Sequence, residues 1–465
     1  MPQNDAKQSR ILIAGTNSGC GKTTVTVALL AALKKRGIPL SSFKCGPDYI
    51  DPMFHRAVLD VPSFNLDPFF CDGEQLSGVL SSHASGFSVI EGVMGYYDGI
   101  GTGGDASTWT VAKETKTPVV LVVNVRGMYT SAGAIIKGFK DFRPDSGIAG
   151  VIFNGASAML CRDLAKIAQD AGVKAFGFLP KVPEAEIGSR HLGLITAAEI
   201  EDLQQRIDVL AEKAEECIDI DGLLELGQGA ETLKAAPGSA VSAVASRQVI
   251  AVAKDEAFCF IYQENLELLE AAGFEITYFS PLHDEALPDG ISALYLPGGY
   301  PELYTEQLST NNRMLDSVKL AIESGLPTFA ECGGFMYLHE SIDGKPMAGV
   351  IKAKAYRTDR LQRFGYVTLT AQEDGMFCKA GGSIRAHEFH YYESEDPGRG
   401  FKAVKPTGKR SWECAHVSGS LYAGFPHLYL PANPQFAESF AEKARQYAEN
   451  HKNGASHAEG RGGSK

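Results

Sequence analysis

Residues 11–37 pass from an apolar, β-branched stretch (ILIAG) through a glycine-rich turn (TNSGCG) into a run with helical spacing (KTTVTVALLAALKKRG). A strand that feeds a helix in this way commits the chain to βα units, because parallel strands need a crossover between them. The rhythm continues in FSVIEG (87–92), PVVLVVN (118–124) and GIAGVIFN (147–154), each followed by a stretch that can be helical. Runs of Val and Ile without polar alternation predict strands covered on both faces, hence a mostly parallel sheet between helical layers. Helical segments run to about residue 228, after which GQGAETLKAAPGSAVSAVASRQ (227–248) has no amphipathic pattern and reads as a linker. The rhythm restarts with VIAVA (249–253), an amphipathic helix over YQENLELLEAAG (262–273) and FEITYFSP (274–281). ALYLPGG (293–299) and LPTFAE (326–331) are strand ends that carry special loops. The expected fold class is α/β with two doubly wound domains. The expected boundaries are a tail at 1–9, a first domain at 10–228, a linker at 229–247, a second domain at 248–448 and a disordered polar tail at 449–465.

Bulk composition narrows the classes. A chain of 465 residues exceeds one ordinary core. A net charge of -12 argues against a nucleic-acid footprint or an anionic membrane surface. Nine cysteines without a CxxC pair indicate neither a zinc ribbon nor a disulfide framework, so a reducing compartment is the simplest setting. The opening MPQNDAKQSR has no apolar signal core, and no run approaches membrane-spanning length. The expectation is a soluble, cytoplasmic protein with no nucleic-acid and no membrane partner.

GTNSGCGKTT (15–24) sits where a phosphate loop belongs, after a strand and at the start of a helix. Glycines allow close backbone approach, consecutive amides face the phosphates, and the helix start favours negative charge. The candidate nucleotide contacts are Gly15, Thr16, Asn17, Ser18, Gly19, Cys20, Gly21, Lys22, Thr23 and Thr24. Lys22 would neutralise the β- and γ-phosphates of ATP, and Thr23 would offer its hydroxyl to Mg²⁺. Five residues rather than four separate Gly15 from Gly21, and Thr16 stands where the first glycine of the strict pattern belongs.

Other strand ends carry acidic residues. FKCGPDYIDPMFH (43–55) offers Lys44, Asp48 and Asp51, and IEGVMGYYDG (90–99) offers Glu91 and Asp98. Strand C-terminal ends of a doubly wound sheet converge on one crevice. Hard oxygen ligands suit Mg²⁺, so Thr23, Asp48 and Glu91 are the expected metal-holding set, directly or through water. Any one of these acids, taken alone, reads more often as a turn or cap residue; their joint placement at successive strand ends favours function. SRHLGL (189–194) adds Arg190 and His191 for substrate carboxylates or nucleotide, with a solvated loop as the plain alternative.

FAECGGFMYL (329–338) sets Cys332 at a sharp strand-to-helix turn, with Gly333 and Gly334 relieving the crowding. Such a turn predicts an exposed sulfur at a helix N-terminus, where thiolate is favoured. A lone cysteine is otherwise a core residue. Here the PGG loop supplies Gly298 and Gly299, whose N–H groups would face an oxyanion. LYAGFPHLYL (421–430) supplies a late base, His427. HEFHYY (387–392) is not read as a metal site, because His387 and His390 are three apart on a strand and point to opposite faces.

The phosphate loop resembles that of dethiobiotin synthetase-like enzymes, in which ATP phosphorylates a carboxylate. It also looks somewhat like the partition and division-site ATPases, but the second lysine of their loop is absent at Thr16-Asn17-Ser18. Glu331-Cys332-Gly333-Gly334, Leu296-Pro297-Gly298-Gly299-Tyr300 and His427-Leu428 resemble the nucleophile elbow, glycine loop and base segment of a class I-type glutamine amidotransferase of the cobyrinic acid synthase branch. NLDPFF (65–70), SRHLGL, RLQRFGYVTL (360–369) and RAHEFHYY (385–392) match the same family in order, so the likeness spans about residues 10–430. It implies a P-loop NTPase-like domain followed by a glutamine amidotransferase-like domain.

The resemblance further implies Cys332 as nucleophile, His427 as proton shuttle, and Gly299 and Gly333 at the oxyanion. Ordinary class I triads have an acid two residues after the histidine; here that residue is Tyr429, as in a branch that relies on a Cys–His dyad. The implied substrates are ATP, L-glutamine and a tetrapyrrole polycarboxylate, a corrinoid amidated at its a and c acetate side chains through acyl phosphates. Lys44, Tyr49, Asp51, Asp98, Arg190 and His191 are the expected substrate-facing residues, with aromatics at 49, 54, 96 and 97 against the macrocycle. A homodimer is compatible with this reading. Rival readings are another tetrapyrrole (nickel-sirohydrochlorin, a sirohaem-type ring or hydrogenobyrinic acid), a linear acid, or a switch ATPase with a degenerate amidotransferase-like module.

Overall fold

The structure, a computed structural model, describes residues 8–183, 197–233 and 247–459. Arg190, His191 and positions 234–246 of the expected linker lie outside the described residues. The chain divides into two compact units, Met1–Ser239 and Ala240–Lys465.

The first unit is built on seven strands: β1 (Ser9–Gly15), β2 (Leu40–Cys45), β3 (Ser63–Leu66), β4 (Phe87–Glu91), β5 (Val119–Asn124), β6 (Ile148–Asn154) and β7 (Lys174–Leu179). They form one sheet in the order β3-β2-β4-β1-β5-β6-β7, with every neighbouring pair parallel. Residues Val119–Val123 of β5 are at most 1% exposed, as expected for a strand covered on both faces. The helix Lys22–Lys35 is apolar around most of its circumference, and such a helix must be enclosed. It shares a core with Ile207, Leu210, Ala211 and Ala214 of the helix Ala197–Cys217. Lys34 and Lys35 in its last turn oppose the negative end of the helix dipole. From β1 the chain first builds to one side, through β2, β3 and β4, and then to the other, from β5 onward. The end of β1 is therefore the switch point at which a crevice opens.

The second unit has a six-stranded sheet. Phe274–Phe279, Gln248–Ala253, Ala293–Leu296, Thr328–Glu331, Leu421–Gly424 and His416–Val417 lie side by side in that order. The first five are parallel and the last is antiparallel. Alternate residues feed cores on its two faces: Ile250, Val252, Tyr295 and Phe329 on one, Ala251, Ala253, Leu296 and Ala330 on the other. The doubly wound expectation holds for this sheet. A five-stranded antiparallel sheet is added beside it, ordered Ser411–Cys414, Phe401–Val404, Arg363–Ala371, Ser383–His390 and His427–Leu428.

The ends of the chain differ from expectation. β1 starts at Ser9, inside the stretch read as a tail. The last helix spans Gln435–Glu459 and so continues beyond 449, where disorder was expected. Its sequence is rich in Ala, Glu and Lys and holds no proline and a single glycine, Gly454, so nothing local stops it.

Candidate active sites

In the first unit, Gly19 and Gly21 have φ of 78° and 101°, the left-handed region that glycine enters without strain. Any side chain at 21 would collide with Asn154, at the end of β6. Asn154 donates its Nδ2 to Cys20 O (3.0 Å) and so ties the loop to the sheet. Asn17, Ser18 and Gly19 are exposed at the rim, and the Cys20 side chain is buried beneath it. Lys22 reaches back over the loop, donating to Asn17 O (3.1 Å) and Met94 O (2.5 Å). Burial pulls the Lys22 ammonium below its usual range.

Beneath this loop lies a buried charge cluster. Lys44, at the end of β2, pairs with Asp51 and with Glu91 Oε1 (2.7 Å), and lies 4.0 Å from Asp48. Burial opposes the charge on Lys44, but Glu91, Asp51 and Asp48 outweigh it and hold the ammonium well above its usual value. Thr23 donates to Glu91 Oε1 (2.6 Å). Burial lifts the Glu91 carboxyl to about 7, against the pull of Lys44. Asp48 accepts the N–H groups of Ile50 (2.8 Å) and Asp51 (3.3 Å), so it also shapes the turn.

This set fits Mg²⁺. One ammonium faces three carboxylates, an acidic balance that a divalent cation relieves. Glu91 Oε2 is buried and makes no hydrogen bond; its neighbour is His55 Nε2 at 3.9 Å. Among the described residues no three His, Cys, Asp or Glu side chains converge as a ready cage. Mg²⁺ takes few protein ligands and completes its shell with water and phosphate.

The expected substrate-facing residues divide. Lys44 and Asp51 bind each other inside the cluster. Tyr49, Phe54 and Tyr96 are core side chains, at most 7% exposed. Spacing gave them a loop; packing turned them inward. Tyr97 is half-buried against Phe139, ring centroids 5.8 Å apart. With Thr16 and Asp98 it lines a cavity of about 440 Å³ beside the phosphate loop. Asp98 Oδ2 accepts from Gly95 N (3.0 Å), which fixes that turn.

In the second unit, the strand Thr328–Glu331 ends at Cys332, whose φ of 49° and ψ of -102° are strained for a residue with a side chain. The elbow is pinned by Cys332 N to Gly424 O (2.8 Å) and Gly334 N to Pro297 O (2.9 Å). A Cβ at 333 would lie 2.9 Å from Gly299 N and from Pro301 Cδ, so the glycine loop presses directly on the helix start. Cys332 is 6% exposed, a correction to the expected exposed sulfur: the loop folds over it.

His427 belongs to the two-residue strand His427–Leu428, which pairs with Ala386–His387. Its Nδ1 lies 3.6 Å from Glu331 Oε1, and the Cys332 sulfur acts on the same ring. Burial works against the imidazolium, but the Cys332 sulfur and the Glu331 carboxylate reverse this and raise it to about 10. His387 and His390 sit on opposite faces of their strand. His390 stacks on Phe425 (4.0 Å) and lies 3.2 Å from Glu388.

Sequence reasoning named Cys332, His427, Lys22, Thr23 and Glu91, and the structure brings each into one of two clusters. It missed Asn154, His55 and the part played by Glu331. The available signal was parity: an acid at the last position of a buried strand must meet something polar.

Residues 11–195 match the nucleotide-binding domain described for CobQ, CobB, MinD and ParA, and residues 249–434 match the CobB/CobQ-like glutamine amidotransferase domain. A chain joining these two is a glutamine-dependent amidating ligase that uses ATP as co-substrate. It is 40% identical to the cobyrinate a,c-diamide synthase of Listeria innocua, over 92% of this chain and 97% of the relative. The cobyrinate a,c-diamide synthase of Caldanaerobacter subterraneus is 39% identical over 94% of this chain and 98% of its own, and that of Thermoplasma volcanium 36% over 95% and 98%. The chain belongs to the cobyrinate a,c-diamide synthase family.

Proposed function

We propose that the protein converts the a and c acetate carboxylates of cobyrinate to amides, using one ATP and one glutamine for each. The observation that carries this reading is the pairing of Cys332 at a strained elbow with the buried His427, in a chain whose other unit holds the Lys22–Thr23–Glu91 cradle.

A carboxylate cannot be displaced by ammonia at neutral pH, because its leaving group would be oxide. In the first unit the carboxylate oxygen attacks the γ-phosphorus of ATP; the bond to ADP breaks, and an acyl phosphate forms. The loop amides and Lys22 hold the phosphates in line for this transfer. Thr23, Glu91 and Asp48 would hold Mg²⁺, which supplies charge neutralisation at the phosphates when bound.

In the second unit the Cys332 thiolate attacks the side-chain amide of glutamine, and the N–H groups of Gly299 and Gly333 receive the oxyanion. His427 gives its proton to the departing nitrogen, so ammonia leaves uncharged and a glutamyl thioester remains. His427 next takes a proton from water, which attacks the thioester and releases glutamate. Ammonia attacks the acyl phosphate, and inorganic phosphate departs with the amide in place. Ammonia is delivered without equilibrating with solvent; free ammonium outcompeting glutamine at low concentration would count against that. All nine cysteines are free thiols, which supports a reducing, cytoplasmic setting. A homodimer belongs to the same reading, with sedimentation velocity as its check.

The test supplies ATP, Mg²⁺, glutamine and one ring at a time, weighing products by mass spectrometry. Two successive carboxyl-to-carboxamide mass changes on a cobalt corrinoid are expected; the same change on another ring alone redirects the substrate, and none on any ring removes the reading. Cys332→Ala should lose glutamine-driven synthesis and keep ammonium-driven synthesis. Glu91→Gln should lose both.

A further inference from the structure

The base at His427 needs a partner that fixes its ring, and the residue two positions later cannot serve. Tyr429 is 1% exposed and meets Tyr262 edge-on, centroids 5.3 Å apart. A carboxylate reaches the imidazole from elsewhere. Glu331, the last residue of its strand and the one before Cys332, is 0% exposed. Its Oε1 lies 3.6 Å from His427 Nδ1 and accepts from the Tyr295 hydroxyl (2.8 Å). Its Oε2 accepts the N–H of Leu428 (3.0 Å). One carboxylate therefore holds both the ring of the histidine and the backbone just after it.

We propose that Glu331 is the positioning residue of the glutaminase centre: it orients His427 through Nδ1 and Leu428, and so completes a triad with the nucleophile that follows it in the chain. This rests on the Cys332–His427 reading above.

The arrangement follows from the elbow. The sharp turn at Cys332 swings residue 332 back toward the same imidazole that residue 331 meets from the strand end. A buried carboxylate is costly unless a counter-charge and hydrogen bonds offset it. Among the described residues the cation within ion-pair distance of Glu331 is His427. With the Nδ1 proton held by the carboxylate, the other ring nitrogen is left to exchange a proton with sulfur, the role such an acid plays in Ser–His–Asp sites. A contact of 3.6 Å is long for a direct hydrogen bond, and catalytic contacts of this kind shorten once substrate is bound.

Glu331→Gln is the deciding variant. Glutamine has nearly the same volume, can still accept from Leu428 N–H and can meet the Tyr295 hydroxyl, but carries no charge. We expect kcat for glutamine-driven synthesis to fall by about 10²–10⁴-fold, with KM for glutamine within about threefold. Ammonium-driven synthesis should be unchanged. The pH profile for alkylation of Cys332 by iodoacetamide should move upward, because the thiolate loses its oriented imidazolium. Glu331→Asp should recover at least about tenfold over the Gln variant.

Tyr295→Phe is the structural control, since it removes a hydrogen bond from Glu331 and leaves the carboxylate; its kcat should stay within about fivefold of the parent. A kcat for Glu331→Gln within about threefold of the parent, with the same alkylation profile, overturns the proposal. So does a proportional loss of ammonium-driven synthesis, or Tyr295→Phe and Glu331→Gln failing alike. Should Glu331→Gln not fold, Glu331→Met, which also removes the charge at similar volume, takes its place, and an unshifted alkylation profile there is the overturning result. Cys332→Ala retaining glutamine-driven activity would instead remove the glutaminase assignment itself, whatever Glu331 does.

Discussion

At Gly298 the backbone passes so close to His427 that a Cβ would sit on the ring at Cε1. The glycine is needed for approach, since no side chain fits between loop and imidazole. Gly298→Ala should therefore displace His427 and lower glutamine-driven kcat by about 10²-fold or more, as misplacing a reacting group does. Ammonium-driven synthesis should remain, and steady-state rates with the two nitrogen donors separate these outcomes. At this scale the sequence made Cys332 and His427 legible because their loops have a distinctive spacing. It could not expose what Glu331 meets. Alternation says that a strand-end side chain points inward, whereas its partners come from Tyr295 and Leu428, residues 36 and 97 positions away. The burial of Tyr49 and Tyr96 was hidden for the same reason: a loop position does not tell whether a ring folds under or out.

Arg10 shows how elements are fastened. It is wholly buried in β1, yet its guanidinium donates to Thr115 O (2.8 Å), Glu231 O (2.6 Å) and Thr117 Oγ1 (3.1 Å). It thus ties β1 to the turn after the helix Thr108–Glu114 and to the segment following the helix Ile220–Gln228. Arg10→Met keeps much of the volume and strands those carbonyls. The expected cost is about 2–4 kcal/mol, read as a lower midpoint for the first unit in urea. The parallel strands were legible because each carries its own apolar run; β4 and β5 fall within one residue of the stretches the sequence marks. The antiparallel sheet of the second unit was not, because the strand His427–Leu428 has two residues and gains its identity from pairing with Ala386–His387. So short a strand has no period of its own to read.

At the scale of the whole molecule, desolvation holds three imidazoles among the described residues in the neutral form. Burial pushes His55 and His339 down to about 4 and His387 down to about 3. In the unfolded chain each would titrate near 6.5, so between about 4 and 6.5 the unfolded state binds more protons. Stability should therefore decline as pH falls through that window, by up to about 1.4 kcal/mol per pH unit for each such histidine. Denaturant midpoints at pH 7 and 4.5 measure this; His387→Asn should flatten the slope in the second unit, and a slope of opposite sign would contradict the assignment. The class α/β and the two mostly parallel sheets were legible from the chain, since strand rhythm is a local property, and the family and ligase class were legible through the resemblance of its motifs. Charge balance was not: Lys44, Asp48 and Asp51 sit at the end of β2 and just after it, Glu91 ends β4, and the four acquire meaning only together.

With just 6% of Cys332 open to water, peroxide and stray disulfides seldom collide with its sulfur. The sulfur is thus shielded between encounters with substrate by a fold of backbone.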